Sequence, residues 1–223
     1  MELYLDSCNP AEISLAASWG LISGVTTNPG LIATVGPDPI KTLSRVIEVS
    51  PGPVLAQVIG STDHDSLVRQ ACWLHSFSDK IVVKLPVSVA GIQALLQLKQ
   101  EVPDLRLAVT VISSIAQAYL AGKAGADIAA VFNGPWDQAS DTAQDMITPI
   151  KKIYANYGFK TKVLSCGRFP RLFAEVAAAG TDICTMRMEY LSMLYEHPFT
   201  DKRLEVFGSK WRQAIGDTTW PEK

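Results

Sequence analysis

The sequence predicts a (β/α)8 barrel, one domain with an additional C-terminal helix. Three observations carry this. Short β-rich runs alternate with longer helical patterns, and there are eight such runs; eight strand–helix units argue for a parallel sheet closed into a barrel. The chain has 223 residues, 48% of them hydrophobic, which suits a single barrel-sized core over residues 1–223. No GxGxxG follows the first run, which weakens the competing open, doubly wound sheet.

The expected strands fall at residues 2–5, 24–27, 54–59, 81–85, 107–112, 128–132, 162–165 and 182–185. Asn9-Pro10-Ala11-Glu12 opens the first helix, with an asparagine cap and a proline in the first turn. Helical periodicity then recurs at 63–76, 90–100, 114–124, 138–157 and 170–179. In the last of these Leu172, Val176 and Ala179 line one face, and Ala177-Ala178-Ala179-Gly180 suits close contact between helix and sheet. The final stretch, 202–216, is an amphipathic helix with Leu204, Phe207, Trp211 and Ile215 at helical spacing. Its apolar face needs cover from the barrel or a neighbouring subunit, and Trp220 is a further anchor for a partner.

Several function classes are excluded. A net charge of −2 gives no basic excess for nucleic acid. His64, His75 and His197 are scattered and show no metal-ligand spacing. Cys8, Cys72, Cys166 and Cys184 lie far apart without a CxxC and read as reduced thiols. The residues Met1 to Asp6 lack a signal-peptide profile, and no apolar stretch reaches membrane-spanning length, so a cytoplasmic location is expected.

Lys84 is the most informative residue. It interrupts Ile81-Val82-Val83-Lys84-Leu85-Pro86-Val87, which otherwise reads as a fully buried strand. An ammonium there is costly unless something pairs or uses it, and a desolvated lysine loses its proton easily. The neutral amine can attack a carbonyl to form a Schiff base. The bland alternative is a gatekeeper lysine on an edge strand.

Barrel chemistry gathers at the C-terminal strand ends. There the sequence offers Asp6, then Thr26, Thr27 and Asn28, Gln57, Lys84, Thr110 and Ser113, Asn133, and Arg168 with Arg171. One carboxylate, one lysine and several amide or hydroxyl donors can bind a polyhydroxylated carbonyl compound and move protons around it. Each also has a structural explanation. Asp6-Ser7-Cys8-Asn9 can be a capping turn, Gln57 can satisfy core backbone groups, and the two arginines can be solvated helix-start residues. An arginine near a helix N-terminus is electrostatically unfavourable, however, and an anionic ligand would account for it better.

The chain resembles the small transaldolases and fructose-6-phosphate aldolases. The matching pieces are Leu3-Tyr4-Leu5-Asp6, Gly24-Val25-Thr26-Thr27-Asn28-Pro29, Ala56-Gln57, the run around Lys84, and Thr110 through Gln117. Pro170-Arg171 and the tail from Trp211 to Gly216 also fit. The resemblance implies a barrel without metal or cofactor, acting on small-molecule sugars and commonly assembled as a homo-oligomer, often a pentamer or decamer. It implies that Lys84 forms the Schiff base with a ketose, that Asp6 shuttles protons at the cleaved hydroxyl, that Asn28 holds the dihydroxyacetone hydroxyls and that Thr26 lines the site. The dihydroxyacetone unit then passes to an aldehyde acceptor, as in a transaldolase, or is released by water, as in an aldolase.

Two departures from the family pattern stand out. Its second acid/base group is a glutamate on strand three or a tyrosine on strand six; here those positions hold Gln57 and Phe132, neither of which titrates. The missing phenol favours transfer over hydrolytic release; Tyr4, Tyr119 or a shifted alignment of the chain on the family pattern would be the ways to compensate. The missing titratable groups also support a rival in which the barrel binds a sugar phosphate without catalysis. A deoxyribose-phosphate aldolase-like lyase is a third possibility, against which Asn28 argues. Second, the family holds the terminal phosphate with two arginines and a serine. One arginine follows the strand-six asparagine, but Asn133 is followed by Gly134-Pro135-Trp136. The other maps to Arg168, with Ser165 or Cys166 in the serine's place. A lone arginine suits a monoanion better than a phosphate dianion, and a sulfonated ketose such as 6-deoxy-6-sulfofructose is the expected alternative.

Overall fold

A computed structural model of the chain describes residues 1–60, 62–132 and 146–220. Eight parallel strands close on themselves in chain order. They are β1 (Glu2–Asp6), β2 (Ile22–Thr26), β3 (Val54–Gln57), β4 (Ile81–Pro86), β5 (Leu107–Ile112), β6 (Ile128–Val131), β7 (Lys162–Cys166) and β8 (Ile183–Met186). Closure is made by β1, which pairs with both β2 and β8. The expected (β/α)8 barrel with an additional C-terminal helix is the observed fold.

Between the strands run α1 (Pro10–Ser18), α2 (Pro29–Val35), α3 (Pro39–Val49), α4 (His64–Phe77), α5 (Val89–Glu101), α6 (Ile115–Lys123), α7 (Ile147–Tyr157) and α8 (Pro170–Ala178). After β8 come the six-residue α9 (Met188–Met193) and α10 (Pro198–Ile215). Local chemistry sets most of the starts. Asn9, Asn28, Asp38, Asp63, Ser88 and Ser114 each accept a backbone N–H of the first turn through a side-chain oxygen. Proline occupies the first turn of α1, α2, α3, α8 and α10, where its missing N–H costs nothing. α2, α3 and α9 are not among the helices expected from the sequence. The helix expected over 138–157 is seen from Ile147; residues 138–145 lie outside the described residues. The last helix starts at Pro198, four residues before the expected 202.

Every strand is buried on both faces, so its apolar residues divide by parity. One set, including Leu5, Val25, Val54, Val83, Val109, Ala129, Val163 and Cys184, packs outward among the helices. The other set fills the barrel axis: Tyr4, Leu55, Val82, Ala108, Ile128, Ala130, Leu164 and Ile183. These side chains form a solid floor.

The N-terminal rim holds structural ion pairs. Asp127 takes Lys99 Nζ at 2.7 Å and the Leu107 N–H at 2.6 Å. Asp182 takes Lys151 Nζ at 2.7 Å and the Val163 N–H at 2.7 Å. These carboxylates are saturated by structure. No residue of α10 is buried, and Phe199, Leu204, Phe207 and Ile215 are exposed along it. The barrel of the same chain therefore does not cover that face. None of the described helices is long and apolar enough to cross a membrane.

Candidate active site

The strand parity that builds the floor also builds the site. Two residues beyond each floor residue, the inward position turns polar or reaches the open mouth. Tyr4 leads to Asp6, Leu55 to Gln57, Val82 to Lys84, Ala108 to Thr110, Ala130 to Phe132, and Leu164 to Cys166 and Arg168. Ile183 leads to Thr185 and Arg187. All of these line one cavity of about 470 Å³ with Thr26, Asn28, Val111 and Tyr190. That volume suits a small polyfunctional metabolite.

Lys84 is buried near the bottom of this cavity, 7% exposed. Its Nζ donates to the Thr27 carbonyl at 2.5 Å. Among the described residues no carboxylate lies within ion-pair distance of it. Burial pushes its pKa below the usual lysine range, and the Asp6 carboxylate pulls the other way, as do Cys166 and Cys8. A larger share of neutral amine follows at a given pH. The gatekeeper explanation does not apply, because β4 is flanked by β3 and β5 in a closed barrel.

Asp6 is held by a hydroxyl relay. Thr26 Oγ1 donates to Asp6 Oδ1 at 2.7 Å and lies 2.7 Å from Thr185 Oγ1. A hydroxyl has one proton to give, so Thr185 donates to Thr26 while Thr26 donates to Asp6. The capping explanation holds for the residues after Asp6: Asn9 caps α1, and Ser7 binds Glu12 at 2.6 Å. Asn28 has two tasks. Its Oδ1 caps α2 by accepting from Leu31 N at 3.0 Å, which leaves the amide N–H groups for the cavity.

At β5 the pairing with β6 shifts register between Val109 and Ile112. Inside this bulge Val111 adopts φ 62, a left-handed conformation rare for a β-branched residue. The consecutive Thr110 and Val111 consequently both reach the cavity.

Of the residues expected from sequence, Lys84, Asp6, Asn28, Thr26, Gln57, Thr110, Phe132 and Arg168 meet at this cavity. Gln57 has no hydrogen-bond partner for its amide among the described residues and faces the cavity instead of serving core backbone. Ser165 is fully buried with the outward parity of Val163, and Cys166 lines the cavity in its place. Arg171 is a solvated helix residue paired with Glu175 at 2.8 Å. Ser113 lies beyond β5, its N–H bonded to Gln117. Asn133 and Gly134-Pro135-Trp136 lie outside the described residues. Tyr4 belongs to the floor, donating to Glu2, and burial raises its pKa strongly; Tyr119 packs against Tyr157 and Phe159 on the outside. Neither phenol serves the cavity. Sequence reasoning missed Thr185, Arg187 and Tyr190. Continuing the parity of β8 from Ile183 would have found the first two.

A closed barrel that brings a desolvated amine, a carboxylate and two arginines to one C-terminal mouth defines a class: barrel enzymes with their site at the strand ends. The family described as Transaldolase/Fructose-6-phosphate aldolase matches residues 3–219. A Petrotoga mobilis protein named a probable transaldolase is 36% identical over 214 residues, covering 96% of each chain. Probable transaldolases from Kosmotoga olearia and Carboxydothermus hydrogenoformans are 37% and 38% identical, over 96% and 95% of this chain and 97% and 98% of their own. The chain belongs to the transaldolase/fructose-6-phosphate aldolase family and is an enzyme of that type.

Proposed function

We propose that this enzyme transfers a dihydroxyacetone unit from an anionic ketose to an aldehyde acceptor through a Schiff base on Lys84. The single observation that carries the proposal is the buried Lys84 amine sharing one cavity with Asp6. The neutral amine attacks the ketone carbon C2, loss of water leaves an imine, and uptake of a proton from solvent makes it the iminium. Asp6 takes the proton of the C4 hydroxyl, the C3–C4 bond breaks, and its electron pair moves into the iminium to give an enamine. The shortened aldehyde leaves. The enamine carbon then attacks the carbonyl carbon of the acceptor, the new alkoxide recovers the proton, and water releases the product ketose from Lys84. Asn28 and Gln57 offer amide N–H groups to the donor hydroxyls. Transfer is preferred to release of free dihydroxyacetone because Phe132 contributes no phenol to help water reach the iminium.

Borohydride reduction in the presence of dihydroxyacetone tests the proposal. A stable mass adduct on the peptide carrying Lys84 is expected. Its absence under conditions that support turnover removes the Schiff base.

The terminal anion of the ketose is a phosphate or a sulfonate. One arginine at 168 favours the sulfonate. Titration separates them. A phosphate monoester gains a proton near pH 6, whereas a sulfonate keeps one charge throughout. Turnover of fructose 6-phosphate should show KM rising as pH falls through about 6, and that of 6-deoxy-6-sulfofructose should show no such rise. The preferred substrate at neutral pH, read as kcat/KM, decides between the two; clear preference for the phosphate removes the sulfonate.

A further inference from the structure

Arg187 has no role in the reaction as written above. It follows β8 directly, its φ/ψ of −72° and 158° are extended, and it lines the same cavity as Lys84. It also borders a neighbouring groove with Asp6, Cys8, Glu12 and Glu189. Despite these carboxylates, among the described residues its guanidinium has no ion pair and no hydrogen bond. The same holds for Arg168. Arg171 shows the contrast, because a surface arginine in this chain finds a glutamate four residues on.

Register puts the two unpaired arginines together. Cys166 is level with Thr185 in the β7–β8 ladder, and the Gly167 N–H still bonds to the Thr185 carbonyl at 2.8 Å. Two residues further, with the same inward parity, Arg168 and Arg187 follow adjacent strands and both line the cavity. Like charges in that relation repel unless an anion lies between them. Two planar guanidiniums match a tetrahedral oxyanion well. Gly167 helps fix this geometry: a side chain there would meet Cys184 Sγ at 2.8 Å, so the segment lies tight on β8.

Position in the barrel adds a length requirement. In a ring of eight strands, β4 is diametrically opposite β8. Lys84 on β4 and Arg187 after β8 therefore lie on opposite sides of the mouth, with Arg168 one strand away from Arg187. A ligand that touches both has its carbonyl at one end and its charge at the other.

We infer that Arg187 is a substrate-specificity residue which, with Arg168, clamps the terminal phosphate or sulfonate of the ketose at the β7–β8 side of the mouth. This rests on the Schiff-base assignment of Lys84. It places the second anion ligand on β8, not after β6, and selects ketoses whose anion is several carbons from the carbonyl.

The test compares wild type with Arg187→Ala and Arg187→Lys on three donors: fructose 6-phosphate, 6-deoxy-6-sulfofructose and uncharged fructose. Loss of one charge-assisted bidentate contact should raise KM for the preferred anionic ketose about 10- to 100-fold. kcat should change little, and kcat/KM for fructose should stay within about threefold of wild type. Lysine should recover part of the loss, as a point charge without the planar fork. Whichever anionic donor suffers more identifies the anion. Equal loss on charged and neutral donors, or no loss on either, overturns the inference. Borohydride trapping with dihydroxyacetone, which has no terminal anion, is run on the same proteins. An adduct without selective loss refutes the clamp alone, whereas no adduct in wild type refutes the underlying mechanism.

Discussion

Lys84→Met abolishes turnover and removes the borohydride adduct, with kcat reduced at least about 10³-fold because among the described residues no other side chain lining the cavity can form an imine. Met approximates the length of the lysine stem, so the barrel should persist, checked by circular dichroism. The same substitution gives a signature in stability. Burial lowers the Lys84 pKa, so the folded protein binds fewer protons than the unfolded chain between the folded value and the ordinary value of about 10.4. Stability tied to this lysine is thus smallest on the acid side of that window and is recovered as pH rises through it. The Met variant carries no such dependence. Its stability relative to wild type should fall as pH goes from 7 towards 10 in paired urea titrations. Undiminished turnover would end the Schiff-base assignment, and a pH-independent difference in stability would show that the amine is not desolvated in solution.

Asp6→Asn is the second large effect. Its side-chain oxygen can still accept from Thr26, so the relay through Thr185 and the local packing survive. The proton acceptor for the C4 hydroxyl is lost, and kcat should drop about 10²- to 10⁴-fold, the usual weight of a general base. Lys84 itself should respond. The Asp6 charge favours its ammonium form, so removing that charge lowers the lysine pKa further. Acylation of Lys84 by a small reagent, followed by peptide mass, should then have its acid limb at lower pH in the Asn variant than in wild type. A purely structural aspartate would lower the melting temperature and leave that limb where it was. Retention of near-wild-type kcat would exclude Asp6 as the proton shuttle.

Much of this was legible in the chain because two periodicities are clean. The alternation of strand and helix counts to eight, and the runs around Lys84 and Thr26-Thr27-Asn28 mark strand ends by where apolar residues stop. What was less legible has identifiable causes. The Asn28-Pro29 and Asp38-Pro39 pairs start α2 and α3 as Asn9-Pro10 starts α1, but a cap that also lines a cavity reads as a site residue first. Ser165 and Cys166 both stand near the place of the family's serine; the parity of β7 sends Ser165 outward and brings Cys166 inward. Arg187 went unnoticed because one arginine before a six-residue helix resembles any solvated surface charge. Its meaning depends on the register between β7 and β8, which is a tertiary fact. The inward turn of Val111 depends on a bulge that no local preference for valine would suggest.

The plug of Tyr4, Leu55, Val82 and their neighbours closes the barrel at one end. The chamber above it is a cul-de-sac, and whatever enters must leave by the same doorway. If each half of the exchange uses that doorway, the first fragment has to depart before the second sugar can approach the enzyme-bound intermediate. Traffic through a blind tunnel would then impose ping-pong order on the two partners.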